Sequence, residues 1–322
     1  MKVVWYNFGA EKARREKKMK ISVIQQRLNF NYDYRKESPE LDILRVDAEK
    51  RLDECFTMIA QAADEGADLA VTIETINSCL AFGDTRFKYA DIYEGVDGAT
   101  VKRFSEAAKK HGIHIVAGLL LSIDGFAYNC AVLFDREGEI VGIHKKVHLP
   151  AGEELLVSAG DRFEVFPTEL GNIGMLVCWD MQFPEAAREL ALGGADLICC
   201  PTLGWENIYG LSRAYENSVT IAAAMTAFGD ELPTLNSPSC IVDNMGNIVA
   251  AAEKNTVCVV TAEIDILQEP ATQYGSHLFY PSHSMRKTRF SQRKPDSYKL
   301  QNVPLEDTPL YSRYFDGANK EN

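Results

Sequence analysis

Short apolar runs alternate with amphipathic stretches along most of the chain, and this alternation restricts the fold more than any other feature of the sequence. The runs that begin at Lys20 and Leu69 have the length and composition of buried strands. Between them, residues 47–65 carry apolar side chains at helical spacing and are followed by Gly66, which is typical of a helix that ends at a glycine. Because further strand and helix patterns follow in turn, the sequence predicts an α/β fold.

A quasi-repeat refines this prediction. Residues 133–141 and 241–249 carry Asp, Gly, Ile and Val at matching positions. Each segment has the pattern of a strand, a glycine turn and a return strand, so each predicts a β-hairpin. Two such hairpins, each after strand and helix units, indicate two related half-sheets packed face to face with helices outside. Turns of the form Asp-x-x-Gly are common, so the repeat alone leaves the relation between the halves open.

Three reactive side chains lie at the ends of separate apolar strands. Glu74 and Cys178 each close an apolar run, and Lys146 follows a third. Pro184, soon after Cys178, is typical of the first turn of a helix, whose backbone N–H groups would face the thiol. A carboxylate, an ammonium and a thiol placed in this way can converge at one edge of a sheet. By itself Cys178 is one of eight cysteines, most of which are expected to be core residues, so the functional interpretation depends on the other two side chains.

These segments resemble the nitrilase, or carbon-nitrogen hydrolase, superfamily. The resemblance covers roughly residues 20–265, and its lysine and cysteine blocks are together highly specific. The blocks that carry it, in chain order, are Glu74, Tyr128-Asn129, 145–150 (KKVHLP), 174–180 (GMLVCWD), 183–188 (FPEAAR), 213–217 (RAYEN) and 237–239 (SPS). One departure is Ile73, which stands where the family usually has a proline before the glutamate.

The resemblance implies a four-layer α-β-β-α sandwich of the nitrilase type and a catalytic triad of Glu74, Lys146 and Cys178. It also implies a second carboxylate in the loop after the lysine, for which Glu153 is favoured and Glu154 is the alternative. Four further residues are expected to bind substrate: Asn129, Trp179, Asp180 and Trp205. No metal or cofactor is expected.

These residue types suit the cleavage of a carbon–nitrogen bond. A thiolate is a strong nucleophile once its proton has an acceptor, and Glu74 can take that proton and return it to the departing nitrogen. Lys146 and the backbone N–H of Trp179 can hold the developing oxyanion.

The sequence around Cys178 resembles amidases and N-carbamoyl amidohydrolases more than nitrilases, which tend to have a glutamate two residues after the cysteine. We therefore expect an enzyme that hydrolyses a small amide or N-carbamoyl compound and releases ammonia. A nitrilase is one alternative, and a catalytically idle binding module is another.

Neighbouring residues of the same types are expected to be structural. Lys145 is interpreted as a solvated neighbour of Lys146, and His148 as a residue that packs the loop. Cys199 and Cys200 lie within an apolar run, so both are interpreted as core packing.

The charge and cysteine patterns argue against several kinds of partner. A formal net charge of −12 disfavours nucleic acid and anionic membranes, both of which need a basic protein face. No run approaches the roughly 18 apolar residues of a membrane-spanning helix. The basic N-terminus lacks the apolar segment of a secretory signal, and the eight cysteines show no CxxC spacing. A reduced, cytoplasmic enzyme that acts on a small molecule is expected.

The predicted organisation has three parts. Residues 1–19 form an N-terminal extension, 20–267 the carbon-nitrogen hydrolase domain, and 268–322 a C-terminal tail rich in Ser, Pro, Tyr, Arg and Lys. The tail carries aromatic residues and arginines without the periodicity of a core of its own, so we expect it to pack on the domain or on a neighbouring subunit. This favours a homodimer or a larger homo-oligomer.

Overall fold

The computed structural model describes residues 18–28, 37–81, 83–204, 206–227, 237–268 and 284–314. The chain divides into two compact units, Met1–Gln268 and Glu269–Asn322. Most of the predicted N-terminal extension, residues 1–17, lies outside the described residues. Its last two residues belong to the first strand, which begins at Lys18.

In its described residues the larger unit has twelve strands and five helices. The strands are β1 (Lys18–Gln25), β2 (Leu69–Val71), β3 (His114–Ile123), β4 (Phe126–Phe134), β5 (Ile140–Lys145), β6 (Val165–Thr168), β7 (Gly171–Met175), β8 (Leu197–Thr202), β9 (Thr220–Met225), β10 (Cys240–Val242), β11 (Ile248–Ala251) and β12 (Cys258–Asp265). The helices are α1 (Leu41–Asp64), α2 (Tyr89–Ile92), α3 (Ala99–His111), α4 (Pro184–Leu192) and α5 (Asn207–Asn217). Two short 3₁₀ segments, Glu153–Leu155 and Cys178–Gln182, lie between these elements.

The twelve strands form two six-stranded sheets with the same internal plan. The first has the order β12-β1-β2-β3-β4-β5, and the second has the order β6-β7-β8-β9-β10-β11. In each sheet the second, third and fourth strands are parallel, and the remaining neighbours are antiparallel. The predicted relation between two half-sheets is therefore confirmed in strand order and direction.

The two predicted hairpins are β4–β5 and β10–β11, and their turns match in detail. Gly138 and Gly246 have φ of 85° and 80°, a left-handed conformation that glycine adopts without steric cost. In each turn the glycine N–H donates to the carbonyl of the aspartate three residues earlier, at 3.0 Å for Asp135 and 2.9 Å for Asp243. The Oδ1 of each aspartate also accepts two backbone N–H groups. The matching positions in the sequence thus encode the same turn twice.

Apolar layers separate the two sheets from each other and from the helices. Side chains alternate along each strand, so Val23 of β1 faces the layer between the sheets while Ile24 faces α1 and α3. In the second sheet Cys199 faces the inner layer and Cys200 faces α4 and α5. Both cysteines are fully buried. The result is the predicted four-layer α-β-β-α sandwich.

The structure differs from the predicted elements in several places, including the following. The first helix, α1, begins at Leu41 rather than at residue 47, because Leu44 extends the buried helical spacing upstream and is 1% exposed. The strand β2 ends at Val71 rather than at residue 73, and the chain then bends at Thr75, whose φ is +51°. The short helix α2 has no counterpart in the sequence prediction.

The described part of the smaller unit contains two short helices, α6 (Met285–Ser291) and α7 (Pro309–Tyr314). The hydroxyl of Ser284 accepts the N–H of Lys287 at 3.1 Å and so caps α6. Packing of this tail on the domain or on a neighbouring subunit stays a prediction. Across all the described residues, no helix combines the length and apolar character that crossing a membrane requires.

Candidate active site

Glu74 lies where the chain bends after β2. Its neighbour Thr75 has a φ of +51°, a left-handed conformation that is strained for a β-branched residue. Strand β3 passes this bend at Gly118, where a Cβ atom would clash with the carbonyl oxygen of Ile73 and lie 2.7 Å from the Cα of Glu74. Only glycine allows this approach, so the close passage of β3 fixes the position of the Glu74 backbone.

Cys178 lies at the end of the apolar run that β7 begins. The strand itself ends at Met175, and Cys178 is the first residue of the 3₁₀ segment Cys178–Gln182, which leads into α4. Its φ is +46°, a left-handed conformation that costs a non-glycine residue about 1–3 kcal/mol. Six of the other seven cysteines are buried, whereas Cys178 is partly exposed. The bend thus presents the sulfur at the end of a strand.

Lys146 follows β5, and its backbone is held on both sides. Its N–H donates to the carbonyl of Asn129 at 2.8 Å, and its carbonyl accepts the N–H of Gly160 at 2.7 Å. Its side chain is 2% exposed. The side chain of Lys145 lies elsewhere, with its ammonium 4.1 Å from the ring centre of Tyr128. Of the two adjacent lysines, the structure brings Lys146 into the site.

The ammonium of Lys146 joins two buried carboxylates. Its Nζ donates to Oε1 of Glu74 at 2.9 Å and to Oε2 of Glu153 at 2.7 Å. The Nδ2 of Asn129 donates to the Oε1 atoms of the same two glutamates, at 2.7 and 2.9 Å. The second oxygen of Glu74 accepts the backbone N–H of Leu203, which follows β8, at 2.8 Å. Charge-assisted hydrogen bonds thus join the side chains of this cluster to one another and to the backbone N–H that follows β8 in the second sheet.

The loop after the lysine places Glu153, and not Glu154, in this cluster. Glu153 is 5% exposed and begins the 3₁₀ segment Glu153–Leu155. Glu154 is exposed, and its Oε2 accepts the N–H of Gly152 at 2.7 Å within the same loop. Of the two candidates for the second carboxylate, Glu153 is the one that contacts Lys146.

Burial and charge set the protonation of the cluster. Burial and the nearby Glu74 raise the pKa of the Cys178 thiol to about 11, against the opposing effect of Lys146. Burial disfavours the charge of Lys146, but the attraction of Glu74, Cys178 and Glu153 outweighs it and raises the pKa of the ammonium. Burial also raises the pKa of Glu153, more than its contact with Lys146 lowers it. Near neutral pH the thiol is therefore protonated and the lysine is charged, so a reaction at sulfur needs a base.

One cavity of about 210 Å³ contains both the charged cluster and the thiol, and we call it the cysteine cavity. Its polar lining consists of Glu74, Thr75, Ser78, Asn129, Lys146, Glu153 and Cys178. The rest of its described lining is aliphatic or aromatic: Leu28, Leu80, Tyr89, Leu120, Pro150, Leu156, Val157 and Leu203. The four residues predicted to be catalytic thus share one cavity.

Asp180 is not among the described residues that line this cavity, and its contact with substrate stays a prediction. Its side chain is fully buried. Oδ1 accepts the backbone N–H groups of Val147 and His148 at 3.2 and 2.9 Å and pairs with Nδ1 of His148 at 3.0 Å. Oδ2 accepts the N–H of Val177 at 3.1 Å and pairs with Nε2 of His144 at 2.9 Å. Both oxygens are therefore engaged by the protein itself.

The bonds to Asp180 join the segment that carries the lysine to the segment that carries the cysteine. Lys146 lies between His144 and His148, and Asp180 lies two residues after Cys178. Burial disfavours the charge of Asp180, but the hydrogen bonds from both histidines outweigh burial and hold the pKa of the carboxyl well below its usual range. Asp180 thus stays ionised and anchors both segments.

The other three residues predicted to bind substrate differ in their position relative to the cysteine cavity. Asn129 lines the cysteine cavity, but its Nδ2 group donates to Glu74 and Glu153 and so holds the two carboxylates together. Trp179 is 38% exposed and is not among the described residues that line the cysteine cavity. Trp205 lies outside the described residues.

Sequence patterns do not predict two further contributors to the site. Leu203 binds Glu74 through its backbone N–H, which no pattern of side chains reveals. Thr202, the last residue of β8, donates its hydroxyl to the carbonyl of Gly204 at 2.7 Å, and its proximity to the thiol of Cys178 opposes the upward shift of the thiol pKa. The signal that could identify them is their position at the end of an apolar strand, which they share with Glu74 and Cys178.

Comparison with known proteins supports one family. A sequence model of the carbon-nitrogen hydrolase family matches residues 37–272. The chain is similar to an omega-amidase of Xenopus laevis, with 32% identity over 67% of this chain and 83% of that protein. It is also similar to the N-carbamoylputrescine amidase of Arabidopsis thaliana, with 27% identity over 76% of this chain and 87% of that protein.

Solved structures agree with the sequence comparison. The crystal structure of Saccharomyces cerevisiae Nit3, a member of branch 10 of the nitrilase superfamily, matches with a TM-score of 0.63 and 25% identity. The match covers 77% of this chain and 90% of that chain. The chain therefore belongs to the carbon-nitrogen hydrolase family, and it is an amidase-type enzyme of the nitrilase superfamily.

Proposed function

We propose that this enzyme hydrolyses an amide or N-carbamoyl group of a small molecule through an acyl-thioester on Cys178 and releases ammonia. The observation that carries the proposal is the contact of one ammonium, Lys146, with two carboxylates, Glu74 and Glu153, in the cavity that the thiol of Cys178 also lines. Similarity to an omega-amidase and to an N-carbamoylputrescine amidase supports this substrate class.

The first step needs a base, a nucleophile and a group that stabilises negative charge. Glu74 takes the proton that the raised pKa keeps on Cys178 in the resting enzyme. The sulfur then bonds to the carbonyl carbon, and the carbonyl oxygen becomes an oxyanion. Lys146 and the backbone N–H of Trp179 stabilise that oxyanion, and each such donor contributes about 3 kcal/mol in other oxyanion holes.

The later steps return every group to its starting state. Glu74 gives its proton to the departing nitrogen, the carbon–nitrogen bond breaks, and the amine or ammonia leaves a thioester behind. Water then attacks the thioester carbon while Glu74 takes one of its protons. The carbon–sulfur bond breaks, the acid product leaves, and the sulfur recovers its proton from Glu74. The N–H of Leu203 keeps the Glu74 carboxylate in place during both transfers.

The second carboxylate favours amides over nitriles. A carboxylate oxygen accepts more than one hydrogen bond, so Glu153 can bind a substrate N–H while it holds Lys146 and Asn129. An amide or N-carbamoyl nitrogen offers such a donor, and a nitrile nitrogen offers none before it is attacked. A site with this acceptor therefore selects the former.

A substrate panel tests the proposal. Small carboxamides, N-carbamoyl amines, N-carbamoyl amino acids and matched nitriles are compared for ammonia release, with Cys178→Ala as the control. We expect turnover of an amide or N-carbamoyl compound that is lost in Cys178→Ala while its circular dichroism stays unchanged. Carbon dioxide release alongside ammonia would identify the N-carbamoyl class. Turnover of a nitrile above every amide and carbamoyl compound would overturn the proposal.

A further inference from the structure

A second cavity, of about 270 Å³, adjoins the cysteine cavity, and we call it the surface groove. Three side chains line both cavities: Tyr89, Leu156 and Val157. On the groove side, Phe126 and Leu155 are 58% and 78% exposed. The groove is also lined by the polar side chains of Thr85, Lys88, Glu154 and Ser158. In the described residues, the three shared side chains therefore form a wall between the cysteine cavity and a surface groove of mixed lining.

The protein holds this wall in place from two elements. Tyr89 belongs to α2, and its ring packs edge-on against that of Tyr93 with the ring centroids 5.5 Å apart. The N–H groups of Leu156 and Val157 donate to the carbonyl of Glu153 at 2.9 and 3.0 Å. The turn that positions a carboxylate of the site thus also positions two residues of the wall.

The cysteine cavity suits a small substrate whose non-reacting part is apolar. At ~30 Å³ for each water-sized group, its volume of about 210 Å³ holds about seven non-hydrogen atoms. The charged side chains of its described lining are Glu74, Lys146 and Glu153, and Lys146 bonds to both glutamates. A charged group at the far end of a substrate would lose its hydration among aliphatic side chains.

We propose that Tyr89, Leu156 and Val157 limit the length of the apolar chain that the enzyme accepts, with Leu156 as the residue that closes the path to the surface groove. This inference rests on the proposed hydrolysis of amides. Tyr89 and Val157 are each 6% exposed, whereas Leu156 is partly exposed. Truncation of Leu156 therefore opens the wall with the smallest loss of buried packing, toward the apolar surface of Phe126 and Leu155.

The experiment is a chain-length series of linear carboxamides from propionamide to octanamide, scored as kcat/KM for ammonia release. In the wild type, kcat/KM should rise about fourfold per methylene buried until the chain meets the wall at about seven non-hydrogen atoms, and fall beyond that length. Leu156→Ala should raise kcat/KM for the longest amides at least about tenfold relative to wild type, because two further methylenes would then be buried. Leu156→Val, which removes one carbon, should shift the optimum less. Leu155→Ala is the matched control, since it alters the groove alone, and its length profile should match the wild type.

Each outcome decides between the two proposals. An unchanged length profile in both Leu156 variants, or a wild type without a length limit, would overturn the wall and leave amide hydrolysis standing. Loss of propionamide turnover in both variants would also overturn it, because Leu156 would then serve the Glu153 turn rather than substrate length. A wild type that hydrolyses no amide or N-carbamoyl compound of any length would overturn the proposed function itself.

Discussion

Asp180→Asn removes one negative charge and changes the shape of the side chain little, yet it should weaken the fold and slow the reaction together. The wild-type carboxylate accepts hydrogen bonds from two segments, one around Lys146 and one that precedes Cys178. An asparagine keeps one acceptor oxygen and replaces the other with an N–H₂ donor. One segment therefore keeps its acceptor and the other loses it.

The size of the effect follows from the donors involved. If the remaining oxygen faces Val147 and His148, the N–H of Val177 is left buried opposite another donor. An unsatisfied buried donor costs about 1–3 kcal/mol, and the retained bonds lose about 1 kcal/mol of charge assistance. His144 can adopt the tautomer whose Nε2 accepts from the new amide, so it adds little. We expect the free energy of unfolding to fall by about 2–4 kcal/mol. We expect kcat to fall about 100-fold, because a displacement of ~1 Å in a reacting group has an effect of that order.

Urea denaturation at several pH values measures the loss in the free energy of unfolding. The pKa of Asp180 is lowered in the folded state, so its contribution to stability is complete above the ordinary carboxyl range of about pH 4. That contribution is lost as the pH falls below this range toward the lowered pKa. The difference in unfolding free energy between the wild type and Asp180→Asn should therefore be full near neutral pH and shrink below about pH 4.

Asp161→Asn is the matched control, because Asp161 is exposed and pairs with its sequence neighbour Arg162. The urea concentration at the midpoint of its unfolding should equal that of the wild type. Equal midpoints for the wild type and Asp180→Asn, with full turnover, would refute the view that Asp180 joins the two segments. A loss of stability without a loss of kcat would refute its role in positioning the reacting groups.

Three further sets of substitutions test how the backbone positions the site. Lys146→Ala should lower kcat for ammonia release by about 100-fold or more, and Lys145→Ala should leave it near wild type; equal losses would mean that the register after β5 is misassigned. Cys178→Gly and Cys178→Ala should both be inactive, but the glycine variant should be more stable to urea by about 1 kcal/mol, because relief of the strain at φ +46° exceeds the entropy cost of glycine. A less stable glycine variant would count against that strain. Gly118→Ala should displace Glu74 and lower kcat more than it changes KM, and wild-type kcat in this variant would show that β3 tolerates a Cβ atom there.

Local patterns predict the framework well because each strand and turn is encoded over a few residues. The apolar alternation around Val23 depends only on the two-residue period of a strand, and it gives the layers correctly. The matched turns at Gly138 and Gly246 depend on a short Asp-x-x-Gly pattern, and both are hairpins in the structure. The start of α1 is the main error, although the buried spacing of Leu44 was visible in the sequence.

The site is less predictable because its contacts join distant segments. An aspartate beside a nucleophile is as compatible with substrate binding as with structure. The structural role of Asp180 becomes evident only from its burial and from the five hydrogen bonds that four residues make to its carboxylate. The contact between Leu203 and Glu74 is made by a backbone N–H and leaves no trace in residue type. The wall at Leu156 exists because α2 and the Glu153 turn meet in space, which no local pattern encodes.

The most direct test of the proposed mechanism is mass spectrometry of the enzyme quenched in acid during turnover of an amide that the substrate panel identifies. We expect a mass increase equal to the acyl group, mapped by peptide digestion to Cys178 and lost on continued turnover. The same experiment on Cys178→Ala should show no adduct. Rapid turnover without any adduct at early times, or an adduct on Cys258, the other partly exposed cysteine, would contradict a thioester at Cys178.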